Sequence, residues 1–364
     1  GDWHDWVYRA LVLLVIACPC ALVISTPITI VSGLAAAARH GILIKGGVYL
    51  EEGYKLAWLA LDKTGTITHG KPVLTDTVML DQPPGLEAVR IATSLAARSD
   101  HPVSRAIATN GQQNGTVLLD VADFAAIPGR GVRGTVGDVH YQLGNHRLIH
   151  ELGVCTPPLE AQLGDLEEEG KTVILLTDGE RVLVLFAVAD TVKDSSRAAI
   201  QALHELGIKT VMLTGDNAHT ARAIAAQIQI DEALGDQLPE DKLRAIERYA
   251  QSGKVGMVGD GINDAPALAR ADIGFAMGAA GTDTAIETAD VALMDDDLNK
   301  IARFVRLSRT TRTVLVQNIT LALIIKAVFL VLTLLGMGTM WMAVFADMGA
   351  SLLVVANGLR LVRQ

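Results

Sequence analysis

The chain has 364 residues, half of them hydrophobic and only 4% aromatic, with a formal net charge of -9 and a mean hydropathy of +0.34. That length suits roughly two or three domains with a large core. The composition excludes disorder, collagen and coiled coil, and the acidic balance excludes a general nucleic-acid binder, whose phosphate contacts need a Lys/Arg excess. Three cysteines cannot frame a disulfide scaffold, and two of them are separated only by Pro19.

The charges are unevenly placed. Between Arg9 and Arg39 lie 29 residues without a charged side chain, enough for one membrane span with some tilt. Asp2 and Asp5 precede that run, and its length exceeds the apolar region of a secretory signal. Between Arg312 and Arg360 lie 47 residues with only Lys326 and Asp347 charged, and a Gly-rich turn at Gly336 to Gly338 divides them into two antiparallel spans. The segment from Arg39 to Arg312 holds 64 of the 71 charged residues, so a soluble part is inserted between the first and second of three spans. Basic residues flanking the spans (Arg39, Lys45, Arg303, Arg306, Arg309, Arg312, Arg360, Arg363) place this part and the C-terminus in the cytoplasm.

Within the soluble part, three short apolar runs each end in a polar cluster: Leu56 to Leu61 then DKTGT, Ile208 to Leu213 then TGDN, and Val255 to Val258 then GDGIND. Helical patterns flank them (Ala218 to Ile230, Lys242 to Ala250), as in the parallel strands of an α/β sheet. Ligands of such sheets bind beyond the carboxyl ends of the strands, so the three clusters should share one crevice. Between the first two runs, a helical stretch after Pro83-Pro84 and alternating runs at Val132 to Leu143 and Val173 to Leu185 read as an inserted α+β domain. The expected boundaries are a first span over 1–38, an α/β domain over 39–71 and 189–300, the insertion over 72–188, and two spans over 301–364.

Asp62, at a strand end before KTGT, carries the strongest chemical signal. A carboxylate there can be aimed in line at a phosphoryl group while following N–H groups and Thr hydroxyls hold the oxygens. Anionic attack on a polyphosphate is repelled unless a metal intervenes, and Asp260 of GDGIND, at another strand end, can help to hold Mg²⁺.

DKTGT at 62 to 66, TGD at 214 to 216 and GDGINDAP at 259 to 266, in that order between membrane segments, resemble the P-type ATPases, whose phosphorylation domain is haloacid-dehalogenase-like. The resemblance implies that Asp62 is phosphorylated by ATP with Mg²⁺ as cofactor, the ion resting on Asp62, the Thr64 carbonyl and Asp260. It further implies that Lys63 follows the nucleophile, that Thr214, Gly215 and Lys242 meet the phosphoryl oxygens, and that Asp216, Asn263 and Asp264 complete the site. Taken alone, His101-Pro102 is a helix start and Gly129-x-Gly131 a turn. In heavy-metal members a Ser-Glu-His-Pro motif and a Gly-x-Gly turn hold the adenine, so His101, Pro102, Gly129 and Gly131 are the implied nucleotide site, with Asp100 replacing the usual Glu.

Cys18-Pro19-Cys20 lies mid-span. In a regular helix the two thiols would point about 200° apart, but proline removes a backbone bond and can unwind the helix so that both turn inward. Lys326 and Asp347 are costly in lipid and are expected to face the bundle interior. Two thiolates and a carboxylate suit a borderline-soft divalent ion, and the lysine would offset negative charge when the metal is absent. CysProCys with Lys326 and Asp347-Met348-Gly349 resembles the zinc/cadmium/lead-exporting subclass, which implies a multi-pass protein of a bacterial inner membrane exporting Zn²⁺, Cd²⁺ or Pb²⁺. A copper exporter is the alternative within the superfamily, and a membrane-anchored phosphatase the alternative outside it. The latter needs an acid two residues after the nucleophile, where this chain has Thr64.

An actuator Thr-Gly-Glu loop and further upstream helices, which the family pairs with these elements, are not found, so the chain is expected to be a catalytic fragment unable to complete a transport cycle alone. Cys155 has no His or Cys neighbour at ligand spacing and is read as incidental.

Overall fold

A computed structural model describes residues 3–80, 86–216, 218–259, 264–278 and 283–363. The chain divides into two units, one comprising Gly1–Leu59, Ala202–Ile208 and Ile246–Gln364, the other Ala60–Gln201 and Lys209–Ala245. The strands in chain order begin with β1 (Ile42–Ile44) and β2 (Leu56–Asp62). A group of six follows: β3 (Val73–Met79), β4 (Ala122–Ile127), β5 (Gly131–Val136), β6 (Val139–Asn145), β7 (Thr172–Thr177) and β8 (Val182–Ala189). The last five are β9 (Lys209–Leu213), β10 (Glu232–Leu234), β11 (Lys254–Gly259), β12 (Ile273–Met277) and β13 (Val291–Leu293).

In the first unit the strand order is β1-β13-β12-β11-β2, with β11, β12 and β13 parallel and β1 antiparallel to β13. β2 runs on into the second unit, where β9 lies beside it and β10 pairs parallel to β9. Parallel strands linked through helices make the α/β half that the apolar runs predict.

The second unit also holds the insertion, a fully antiparallel sheet in the order β3-β8-β7-β6-β5-β4. Its β8 is buried almost end to end, because helices cover both faces. Val184, Phe186 and Val188 pack against Ile91, Leu95 and Ile107 of the helices Leu86–Ala96 and Pro102–Gln113, while Val182 and Leu185 pack against Leu159 and Leu163 of Pro157–Glu168. A continuous VLVLFAVA run, in place of strict alternation, is what two covered faces require.

Among the described residues, three candidate spans are long and apolar enough to cross a membrane: Trp6–Arg39, Asn299–Leu334 and Met340–Arg363. The first is broken into the helices Trp3–Ala17 and Cys20–Arg39 at Cys18-Pro19. The second is one uninterrupted helix of 36 residues, about 54 Å at 1.5 Å per residue and so longer than the roughly 30 Å hydrocarbon core. Its first turns carry Arg303, Arg306, Arg309 and Arg312 and dock on the sheet of the first unit. Phe304 meets Phe275 of β12 edge to face at 5.3 Å, and the Ser308 hydroxyl donates to the Leu50 carbonyl at 2.6 Å while accepting from the Tyr54 amide at 2.8 Å. Gly53 lies against Phe304 so closely that a Cβ there would come within 2.5 Å of the ring.

Candidate active site and membrane site

Asp62 ends β2 with extended dihedrals and begins the tight loop Lys63–Ile67. Gly65 takes a positive φ of 74° in that loop, a conformation that costs other residues energy. Asp62 is buried, and Lys242 Nζ donates to its Oδ1 at 2.5 Å. Lys242 reaches it from the helix Pro239–Ala250, whose first turn folds back through the Leu238 amide on Asp241 Oδ2 at 3.1 Å. Lys63, also buried, pairs with Asp216. The Thr214 hydroxyl is buried and accepts from the Asp216 amide at 3.1 Å, which shapes the Thr214-Gly215-Asp216 turn after β9. Two of the three expected clusters therefore converge within the second unit.

Thr66 adds a chemical clue: its side-chain oxygen is buried and, among the described residues, has no hydrogen-bond partner. A buried hydroxyl without a partner costs stability unless another group completes it. Thr64 is exposed at the loop tip. Asp264 is buried, and a Cβ on Gly259 would come within 2.7 Å of its side chain, so the GDG glycine makes room for it. Asp260 and Asn263 lie outside the described residues.

Sequence reasoning missed how the loop is held. Lys193 Nζ donates to the Gly65 carbonyl at 2.6 Å, Ser196 Oγ to the Ile67 carbonyl at 2.8 Å, and Thr68 Oγ1 to Asp190 Oδ2 at 2.5 Å. The segment just after β8 thus clamps the loop Lys63–Ile67. An acid and a base three residues apart directly after a buried strand was the available signal.

His101 starts the helix Pro102–Gln113, its Nδ1 accepting from the Val103 amide at 3.4 Å, with Pro102 in the first turn. Gly129 has a φ of 67° and open space where a Cβ would stand. Gly131 cannot carry one, because a Cβ would approach the Leu143 carbonyl to 2.2 Å.

In the membrane part, the proline break frees backbone carbonyls. The Leu22 and Val23 amides both bond to the Pro19 carbonyl, leaving that of Cys18 without a helical donor. Lys326 supplies one: its Nζ donates to the Cys18 carbonyl and, at 3.1 Å, to that of Ile16, and stands 3.6 Å from Asp347 Oδ1. Both charged side chains are half-buried and line a small cavity with Ile16, Phe329, Ala343 and Ala350. The two cysteine sulfurs are bonded to each other, a pairing that the unwound backbone permits and a regular helix does not. Nearer the soluble end, fully buried Asn318 joins the three spans, donating to Thr29 Oγ1 at 3.3 Å and the Val354 carbonyl at 3.2 Å and accepting from Asn357 Nδ2 at 2.8 Å. This network too was missed, because Asn and Thr within an apolar run carry no charge signal.

Cys155, read from the sequence as incidental, has polar neighbours in the fold. Its thiol donates to Glu160 Oε2 at 3.0 Å, and His146 Nε2 and His150 Nε2 stand 3.0 and 2.9 Å from the same oxygen. Burial and then this hydrogen bond push the thiol up to about 12. The thiol, followed by His146, holds the Glu160 carboxyl down to about 2.

A family model for haloacid dehalogenase-like hydrolases matches residues 57–272. The chain belongs to that family. It is 49% identical over 372 residues to a probable cadmium-transporting ATPase of Listeria monocytogenes, covering 100% of this chain and 52% of the relative. It is 43% identical over 371 residues to a zinc/cadmium/lead-transporting P-type ATPase of Escherichia coli strain K12, covering 100% of this chain and 49% of the relative. A solved zinc-transporting PIB-type ATPase in its E2.Pi state superposes with a TM-score of 0.84 at 42% identity, over 100% of this chain and 59% of that one. The expected resemblance to the heavy-metal P-type ATPases, in their zinc, cadmium and lead branch, thus holds over the whole chain. The chain spans about half the length of the curated relatives it matches.

Proposed function

We propose that the protein carrying this chain exports a soft divalent ion, Zn²⁺, Cd²⁺ or Pb²⁺, from the cytoplasm across a membrane, driven by ATP through a phosphoaspartate at Asp62. The observation that carries the proposal is mechanical. One uninterrupted helix, Asn299–Leu334, bears Phe304 docked on the sheet and, 22 residues on, Lys326 at the broken span. A rigid helix of that length transmits a shift of the sheet to the carbonyls of Ile16 and Cys18.

In the proposed reaction an Asp62 carboxylate oxygen attacks the γ-phosphorus of ATP, the bond to the bridging oxygen breaks, and ADP leaves with its electron pair. Lys242 holds the carboxylate through Oδ1 and then stabilises charge on the transferred group. Thr66 and Thr214 offer hydroxyls to the phosphoryl oxygens, and Lys63 is held ready by Asp216. Asp62, the Thr64 carbonyl and Asp260, a hard oxygen donor set, would hold Mg²⁺, which would offset the repulsion between carboxylate and polyphosphate. His101, Gly129 and Gly131 would receive the base. Thr64, where a phosphatase needs an acid, lets the phosphoenzyme persist.

The proposed cargo site comprises Cys18, Cys20 and Asp347, with Lys326 as the resident cation that neutralises Asp347 between ions. A disulfide offers no thiolate, so the ion-binding form is the reduced pair: a dithiol reductant gives up two electrons and two protons to the disulfide and is itself oxidised, and the thiols release their protons on binding the ion. Labelled phosphate transferred from ATP to the reduced protein tests the proposal: incorporation that survives Asp62→Asn contradicts it.

A further inference from the structure

The cluster around Glu160 lies in the insertion and takes no part in the proposed phosphoryl transfer or in the membrane site. Its four side chains come from two helices and the loop between them. His146 and His150 stand one turn apart on the helix His146–Glu151, with ring centroids 5.1 Å apart. Cys155 follows in the loop, and Glu160 lies in the first turn of Pro157–Glu168. One ligand atom from each, two imidazole nitrogens, a sulfur and a carboxylate oxygen, all fall within 4.8 Å of one another. Bonds of 2.0 to 2.3 Å in a tetrahedral zinc site set ligand atoms about 3.3–3.8 Å apart, so closure needs only rotamer adjustments.

A supporting shell is also present. His146 Nδ1 rests 3.3 Å from Glu167 Oε1, on the ring side away from the cluster, and Glu167 is 17% exposed. A carboxylate behind a histidine fixes the tautomer that presents Nε2 to a metal. An ordinary surface hydrogen-bond cluster does not need three different side chains gathered at one carboxylate oxygen and a second carboxylate behind one of them.

We propose that His146, His150, Cys155 and Glu160 form a second metal site, for a borderline-soft divalent ion such as Zn²⁺ or Cd²⁺, distinct from the site in the membrane. Imidazole and thiolate select such ions over Mg²⁺ and Ca²⁺, which require oxygen. On binding, the ion replaces the thiol proton, which leaves to water, and the metal–sulfur bond takes the place of the hydrogen bond to Glu160. His146 and His150 also line a cleft of about 590 Å³ that Asp216 and His219 border. An ion there ties the helix His146–Glu151 to the start of Pro157–Glu168 and stiffens one wall of that cleft.

The test uses Co²⁺ as a spectroscopic probe of the full chain in detergent, with Cys18→Ser and Cys20→Ser introduced to silence the membrane thiols. The expected result is one equivalent of Co²⁺ bound with a near-ultraviolet thiolate charge-transfer band, lost on Cys155→Ser. His150→Gln is expected to weaken binding at least about tenfold, and Glu167→Gln, which touches no proposed metal–ligand bond, by roughly 10- to 100-fold while the band remains. Should the double serine variant fail to fold, stoichiometry decides: the reduced wild-type chain must bind one more Co²⁺ than Cys155→Ser. Absence of the band, its persistence in Cys155→Ser, or equal stoichiometry overturns the proposal and leaves the membrane site untouched.

Discussion

Lys242 Nζ donates to Asp62 Oδ1 at 2.5 Å, between side chains only 8% and 10% exposed. In that confinement the ammonium orients the carboxylate, and the proposed reaction asks it also to counter the charge that develops during transfer. Lys242→Ala is expected to lower the rate of phosphate incorporation about 10²- to 10³-fold, the usual loss when one preorganised charge-stabilising donor is removed. Rapid-quench labelling checks this, and a wild-type rate would contradict the assigned role.

Lys193 bonds the Gly65 carbonyl from 128 residues away in sequence. Lys193→Met keeps most of the volume but removes the donor, leaving a buried carbonyl short of a partner at a cost of about 1–3 kcal/mol. We expect a lower thermal midpoint together with slower phosphorylation, because the loop carrying Thr64 and Thr66 loses its clamp. If calorimetry shows the lower midpoint while phosphorylation keeps its wild-type rate, the residue is structural and does not position the loop.

Lys326 caps the carbonyls of Ile16 and Cys18 and faces Asp347. Lys326→Ala is expected to destabilise the metal-free bundle by about 1–3 kcal/mol and to reduce metal-stimulated ATPase in the parent protein. A saturating ion should restore much of the lost stability, since it takes over the neutralisation of Asp347. Unchanged transport and metal-stimulated hydrolysis in Lys326→Ala would refute the role of the amine.

The insertion should show a specific acid response. Lys171 Nζ lies 2.8 Å from Asp76 Oδ2, and this bond, followed by the Thr75 hydroxyl, holds the Asp76 carboxyl below its ordinary value of 3.8. A depressed folded value means that the folded state releases the proton more readily. The resulting stability is present above the ordinary value and fades as pH falls from there through the lower folded value. Asp76→Asn should therefore flatten the dependence of unfolding midpoint on pH below about 4 and leave the neutral range nearly parallel to wild type. An unaltered acid slope would show that this pair carries none of it.

Much of this architecture is legible in the residues. Asp62 at the end of an apolar run, the TGD turn and the charge-poor ends of the chain report the α/β half, the insertion and the spans, because burial and strand-end chemistry are local properties of the sequence. Contacts formed by tertiary approach are not legible in this way. Lys193 and Gly65 meet across a sequence separation of 128 residues. His146, His150 and Cys155 converge because Thr156 and Pro157 turn the chain so that Glu160 comes back beside them, which no fixed ligand spacing encodes. Lys326 was legible as a buried charge, yet its carbonyl partners follow from which helical bonds Pro19 leaves unmade.

The central claim is that ion binding at the broken span controls chemistry at Asp62. Its most direct test is phosphate incorporation from labelled ATP in the parent protein, with thiols reduced, measured against Zn²⁺, Cd²⁺, Pb²⁺ and Cu⁺. The account predicts stimulation by the divalent ions, little by Cu⁺, and loss of the metal response but not of the acceptor in Cys18→Ser, Cys20→Ser or Asp347→Ala. Phosphorylation at Asp62 that ignores the metal, or that answers to Cu⁺ alone, would contradict it.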